Sequence, residues 1–85
     1  MILEYENGRI FSKDKSGNLL AEITFRQTEE GIFTIDHTFV DKSISGQGVA
    51  GTLVRAARVE IERRGGTCRA TCSYAKKWLE KHRDE

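Results

Sequence analysis

Apolar and polar residues alternate from Leu19 to Arg26, with Leu19, Ala21, Ile23 and Phe25 on one side and Leu20, Glu22, Thr24 and Arg26 on the other. A period of two is that of a strand with one apolar face. A shorter strand is expected at Arg9 to Ser12, joined to the first through Lys15-Ser16-Gly17-Asn18, a turn cluster that suits antiparallel neighbours. Thr28 to Gly31 makes the next turn. In the strand Ile32 to Val40, Phe33, Ile35, His37 and Phe39 share one face, and Ile32, Thr34, Asp36, Thr38 and Val40 the other. Both faces are substantially covered, which predicts a central strand. On this alternation Asp36 and His37 point in opposite directions.

The period then changes. Val49, Ala50, Leu53, Val54, Ala57 and Ile61 recur at helical spacing, while Arg55, Arg58, Glu62 and Arg63 fall elsewhere around the same cylinder. An amphipathic helix from about Gln47 to Arg64 is predicted, stopped by Gly65-Gly66. A strand Thr67 to Thr71 follows. Ser73 to about Lys81 reads as a second helix with Tyr74, Ala75, Trp78 and Leu79 as its apolar stripe. Strand, helix and strand in this order form a right-handed crossover with parallel strands. The expected class is therefore α/β with an α+β-like start, in which antiparallel strands precede a β-α-β crossover and a C-terminal helix.

With 85 residues, one domain covering 1–85 and a core of limited size are expected. There is no apolar run long enough to span a bilayer and no secretory leader pattern, so a soluble cytoplasmic protein is expected. Charge is unevenly divided. Residues 1 to 42 carry five Lys or Arg against eight Asp or Glu, and residues 43 to 85 nine against five. The basic half can attract an anionic ligand or nucleic acid, or can simply be a solvated helix surface. No aromatic-and-basic strand motif of an RNA-binding sheet accompanies it. Cys68 and Cys72 are the only cysteines. Four strand steps separate them by roughly 13 Å, too far for a disulfide, and a C-x3-C pair without further Cys or nearby His makes a poor zinc site. Free thiols and no metal are expected.

Candidate chemistry concentrates at Ser45-Gly46-Gln47-Gly48-Val49-Ala50-Gly51-Thr52-Leu53, where the central strand passes into the first helix. A glycine-rich turn there leaves backbone NH groups unpaired at the positive end of the helix dipole, a place for phosphate. Gly46-x-Gly48-x-x-Gly51 matches the dinucleotide fingerprint in form, but the next strand ends Ala70-Thr71-Cys72 without the acid that holds a ribose. Gly46-x4-Gly51-Thr52 likewise lacks the lysine of a phosphate loop.

Taken in order, Ile35-Asp36-His37-Thr38-Phe39-Val40, the glycine turn, and Thr71-Cys72-Ser73-Tyr74-Ala75-Lys76-Lys77-Trp78-Leu79-Glu80-Lys81 resemble the GNAT superfamily of N-acetyltransferases. The likeness is to its small stand-alone members, with a His-Thr pair before the turn and Cys-x-Tyr after the last strand. It covers roughly residues 20 to 82. In the superfamily signature a Gln or Arg is followed by two residues, Gly, one residue, and Gly or Ala. Gly48 and Ala50 fit it, but Ser45 stands in the Gln/Arg position, where Gln47 is the available substitute.

The resemblance implies a minimal acyl-CoA N-acyltransferase fold that binds acetyl-CoA and acetylates a primary amine on a small molecule, a protein lysine or a terminus. It implies that Ser45, Gly46, Gln47, Gly48, Val49, Ala50 and Gly51 hold the diphosphate and that the pantetheine arm pairs near Phe39 and Val40. Tyr74 then matches a tyrosine that protonates the departing sulfur, and it also reads as an ordinary core aromatic. Cys72, at a helix N-terminus that favours thiolate, can protonate the leaving group, accept the acetyl group, or pack. His37 can serve as a base near neutrality or as a hydrogen-bonded core residue. Two other functions stay open, a CoA-binding module without turnover and a basic interaction module. A monomer or weak dimer is expected.

Overall fold

In a computed structural model, residues 1–83 are described. Five strands run β1 (Glu4–Glu6), β2 (Arg9–Lys13), β3 (Leu19–Glu29), β4 (Ile32–Val40) and β5 (Thr67–Ala70). They form one sheet in sequence order. β1 to β4 are antiparallel neighbours, and β5 pairs parallel to β4. The crossover between these last two is helix α1 (Val49–Arg63), and α2 (Ser73–Lys81) follows β5. No helix among the described residues is long and apolar enough to cross a membrane.

The apolar stripes set the layering. Ile10, Ala21, Ile23, Phe25 and Ile35 of the sheet pack in one cluster with Val49, Leu53, Val54, Ala57 and Ile61 of α1 and with Ala75 and Trp78 of α2. Both helices therefore cover one face, giving two layers. Burying each large aliphatic side chain of this cluster contributes about 1.5–3 kcal/mol. The opposite face carries Arg9, Glu22, Thr24 and Arg26, and its one buried aromatic, Phe11, lies beneath the Arg9 guanidinium, 3.8 Å from the ring centroid.

Four features depart from the sequence reading. β1 precedes the expected first strand; its residues Glu-Tyr-Glu are all exposed, so no apolar alternation announces it. β3 runs to Glu29, past the expected start of the turn. A 3-10 helix, Lys42–Ile44, is capped by Asp41, whose carboxylate accepts from Ser43 N at 3.0 Å and Ser43 Oγ at 2.6 Å.

The fourth departure changes the face of a candidate residue. Thr24 pairs with His37 but Phe25 pairs with Ile35, so Asp36 is an extra residue in β4. Such a bulge reverses the alternation beyond it. Ile35 lies in the core, whereas His37 shares the helix-free face with Glu22, 3.6 Å from its carboxylate. Asp36 faces the same way, accepting from Thr24 Oγ1 at 2.5 Å. His37 thus does not share a face with Ile35, and the two neighbours do not point oppositely.

Leu53 is fully buried and Val59, on the same helix, is 55% exposed. Leu53→Ala is expected to cost about 2–5 kcal/mol and Val59→Ala within about 0.5 kcal/mol, read from urea unfolding midpoints at constant slope.

Candidate functional site

Beyond the bulge the two parallel strands part. Their last paired residues are Ile35 and Ala70. The Ile35 carbonyl still accepts from Thr71 N at 2.9 Å, but β4 continues to Val40 without β5 beside it. Asp41 N donates to Leu20 O at 2.8 Å. By the alternation of an antiparallel ladder, the backbone groups of Phe39 then face β3, while those of Thr38 and Val40 face the gap. Of the two expected edge residues, Val40 has its NH and carbonyl on the open edge and Phe39 does not.

The mouth of this gap is the start of α1. Gly46 and Gly48 have φ of 79° and 74°, the left-handed region where a side chain is strained. A Cβ on either would meet nothing within 4 Å, so backbone conformation alone requires glycine there. Gly48 is the N-cap and supplies no side-chain bond, and the first intrahelical donor is Thr52 N, to Gly48 O at 3.1 Å. The NH groups of Val49, Ala50 and Gly51 therefore point outward with the helix dipole behind them. Ser45, also exposed, bonds back to the 3-10 turn: its Oγ donates to Lys42 O at 3.1 Å and its NH to the same oxygen at 3.3 Å. Gln47 is exposed beside it.

Cys72 closes the other side of the gap as N-cap of α2. Its thiol donates to Thr38 Oγ1 at 3.5 Å. Partial burial pushes the thiol pKa up, but the Ala75 and Tyr74 NH groups, the Thr38 hydroxyl and the Thr38 NH outweigh it and leave the thiol below its ordinary value of 9.0. The sulfur forms no cap hydrogen bond, so the two helix NH groups act as dipoles aimed at it. Cys68 differs: burial, with Glu62 nearby, raises it to about 11. Both cysteines are free.

Tyr74, 44% exposed, sends its hydroxyl across Gly51, where an added Cβ would come within 3.5 Å of the oxygen and 3.0 Å of Trp78 Nε1. The absent side chain lets α2 lie against the first turn of α1. Cys72, Tyr74, Val40 and the glycine turn thus border one gap, and His37 lies on the far side of the sheet from them. A concavity of about 570 Å³ between Tyr5 and the Arg55, Val59 and Arg63 side of α1 is lined by neither Cys72, Tyr74, Val40 nor His37. Among the described residues no cluster of His, Cys, Asp or Glu is arranged to hold a metal. Sequence reasoning missed Thr38 as a partner of Cys72 and Glu22 as a partner of His37, since the bulge that aims them has no composition signal.

A family model described as GCN5-related N-acetyl-transferase matches residues 9–85. Among solved structures, a GCN5-like protein from Staphylococcus aureus is 32% identical, with a TM-score of 0.79 over 98% of this chain and 81% of its own. A ribosomal-protein-alanine N-acetyltransferase from Brucella melitensis biovar Abortus is 20% identical, with a TM-score of 0.62 over 87% of this chain and 58% of its own. An N-acetyltransferase from Escherichia coli, solved with CoA, is 19% identical, with a TM-score of 0.60 over 68% and 35%. The last two likenesses concern the fold. No curated protein matches the sequence significantly.

Iodoacetamide is expected to alkylate Cys72 with a pH midpoint below 9.0 while Cys68, at about 11, stays unmodified near neutrality. Thr38→Val should move the Cys72 midpoint upward, because it removes a donor to the thiolate. Peptide mass spectrometry across pH reads both; equal labelling of the two cysteines contradicts the assigned environments.

Proposed function

The chain belongs to the GCN5-related N-acetyltransferase family, and we propose that it transfers an acetyl group from acetyl-CoA to a primary amine. The observation that carries this reading is the unpartnered run of NH groups at the glycine-capped start of α1, opening on the gap between β4 and β5. The residues fit the cofactor. The NH groups of Val49, Ala50 and Gly51 suit a diphosphate, and Gly46 and Gly48 shape the turn that presents them. Gln47 offers an exposed amide where Ser45 is committed to Lys42. The open edge at Val40 suits the amides of a pantetheine arm, with Phe39 fixing that edge through its pairing to β3.

Acetyl-CoA supplies an acetyl group activated as a thioester. The lowered thiol of Cys72 favours a role as acyl acceptor: its sulfur forms the new bond to the acetyl carbon as the bond to the CoA sulfur breaks. Tyr74, bordering the same gap, is the donor assigned to the departing thiolate. A neutral amine then attacks the acetylated Cys72, the C–N bond forms, and the cysteine thiolate is released. His37, on the helix-free side, takes the ammonium proton before this attack; the N–H proton lost as the C–N bond forms goes to the released cysteine sulfur, and the Tyr74 proton is replaced from solvent. The exposed approach on that side suits a protein lysine, a terminus or a small amine.

Acetyl-CoA at 100 times its Kd is expected to stabilise the fold by about 2.7 kcal/mol, seen as a higher Tm. Gly48→Ala, forced into a left-handed conformation at about 1–2 kcal/mol, should abolish most of that shift. Cys72→Ala and Tyr74→Phe should each lower thiol release with an amine. A Tm indifferent to acetyl-CoA but raised by oligonucleotides at low salt would replace this reading with nucleic-acid binding. Binding without thiol release from any amine would leave a CoA-binding module. An acetyl adduct on Cys72 supports the two-step route, and its absence during turnover indicates direct attack by the amine.

A further inference from the structure

Glu22 of β3 contributes no atom to the gap, yet its carboxylate joins two groups on the helix-free face. Its Oε2 accepts from Arg9 Nε at 2.5 Å, and its Oε1 lies 3.6 Å from His37 Nε2. Arg9 is itself held, with its guanidinium over Phe11 and Nη1 3.3 Å from Glu6. The Glu22 side chain is 17% exposed and that of His37 54%. One end of the imidazole therefore meets a mostly buried, anchored carboxylate while the rest faces solvent.

We propose that Glu22, fixed by Arg9, is a positioning residue that holds His37 in the tautomer protonated at Nε2. The Nδ1 lone pair is then left to take the proton of an acceptor amine arriving on the helix-free face. This rests on the reading of the protein as an amine acetyltransferase. At 3.6 Å the two groups are in electrostatic contact and not yet hydrogen-bonded, and because a carboxylate can only accept, that contact favours the tautomer with the hydrogen on the ring nitrogen facing it. When an ammonium approaches, its N–H bond breaks, an Nδ1–H bond forms, and the amine keeps the electron pair it needs for the acyl carbon. The new imidazolium charge lies beside the Glu22 carboxylate. Asp36 is engaged with Thr24 Oγ1 and, at 3.7 Å, Arg26, Arg9 with Glu6 and Glu22, and Lys13 lies over the Phe11 ring. Glu22 is the carboxylate turned to the ring. Because Cys72 and Thr38 meet at the gap while His37 faces away from the helices, acyl donor and acceptor would enter from opposite sides of the sheet.

The deciding measurement is long-range 1H–15N NMR of His37 in the full chain without acetyl-CoA. The wild type should show the Nε2–H tautomer, Glu22→Ala a mixture of both, and Glu22→Gln, whose amide oxygen still accepts, the wild-type tautomer. With n-butylamine as probe acceptor, Glu22→Ala should lower kcat about tenfold or more without changing KM for acetyl-CoA. Glu22→Gln should recover part of the rate, and Glu22→Ala added to His37→Ala should cost nothing further. An unchanged His37 tautomer in Glu22→Ala, or rate losses that multiply in the double variant, overturns the assignment. Failure of the wild type to release thiol with any amine would instead remove the transferase reading, while the NMR spectra still report whether Glu22 sets the ring.

Discussion

The extra residue at Asp36 divides β4 into two halves with opposite alternation, and the geometry of the gap depends on that division. Before it, Ile35 is buried against the helices and its carbonyl ties β5 to the sheet through Thr71. After it, Thr38 and Val40 turn toward the gap and His37 turns away from the helices. Bulges bend a strand and increase its local twist, so the position where alternation reverses is also where β5 is left behind. A single inserted residue thus opens the edge, brings Thr38 to Cys72, and leaves His37 beside Glu22.

The start of α1 depends on a different economy. Glycine in the left-handed region avoids the strain that any side chain would bring, at the cost of greater chain entropy in the unfolded state. Gly46 and Gly48 stand in open space, so packing does not call for them. Their effect is to turn the chain sharply enough that three consecutive NH groups emerge together. Gly51 has another basis, since Trp78 and Tyr74 occupy the volume its side chain would need. The same short motif thus combines two conformational glycines with one set in a tight contact against Trp78.

Much of this was legible in the sequence. Period-two alternation located β3 and β4, helical spacing located α1 and α2, and the glycine turn marked their junction, because each rests on regular burial. β1 was not legible, because a three-residue edge strand with every residue exposed leaves no hydrophobic signature. The capped 3-10 turn had a local signal in Asp41-x-Ser43, a spacing at which an aspartate can bond the backbone two residues on. The orientation of His37 could not be read, since strict alternation assigns it to the core face and only the pairing with β3 reveals the added residue. Thr38 and Glu22 were hidden by the same cause: their partners lie on other elements, Cys72 on the far side of the crossover and His37 across a bulged ladder.

Trp78 is the sole tryptophan of the chain. It lies where α2 crosses Gly51, stacks on His82 with ring centroids 3.9 Å apart, and has the Arg55 and Arg58 guanidinium carbons 5.1 and 5.0 Å from its own centroid. Its indole therefore senses the first turn of α1 on one side and the end of α2 on another. The protein carries a built-in optical reporter whose emission follows the spacing of its two helices, with no label attached and no second tryptophan to confuse the signal.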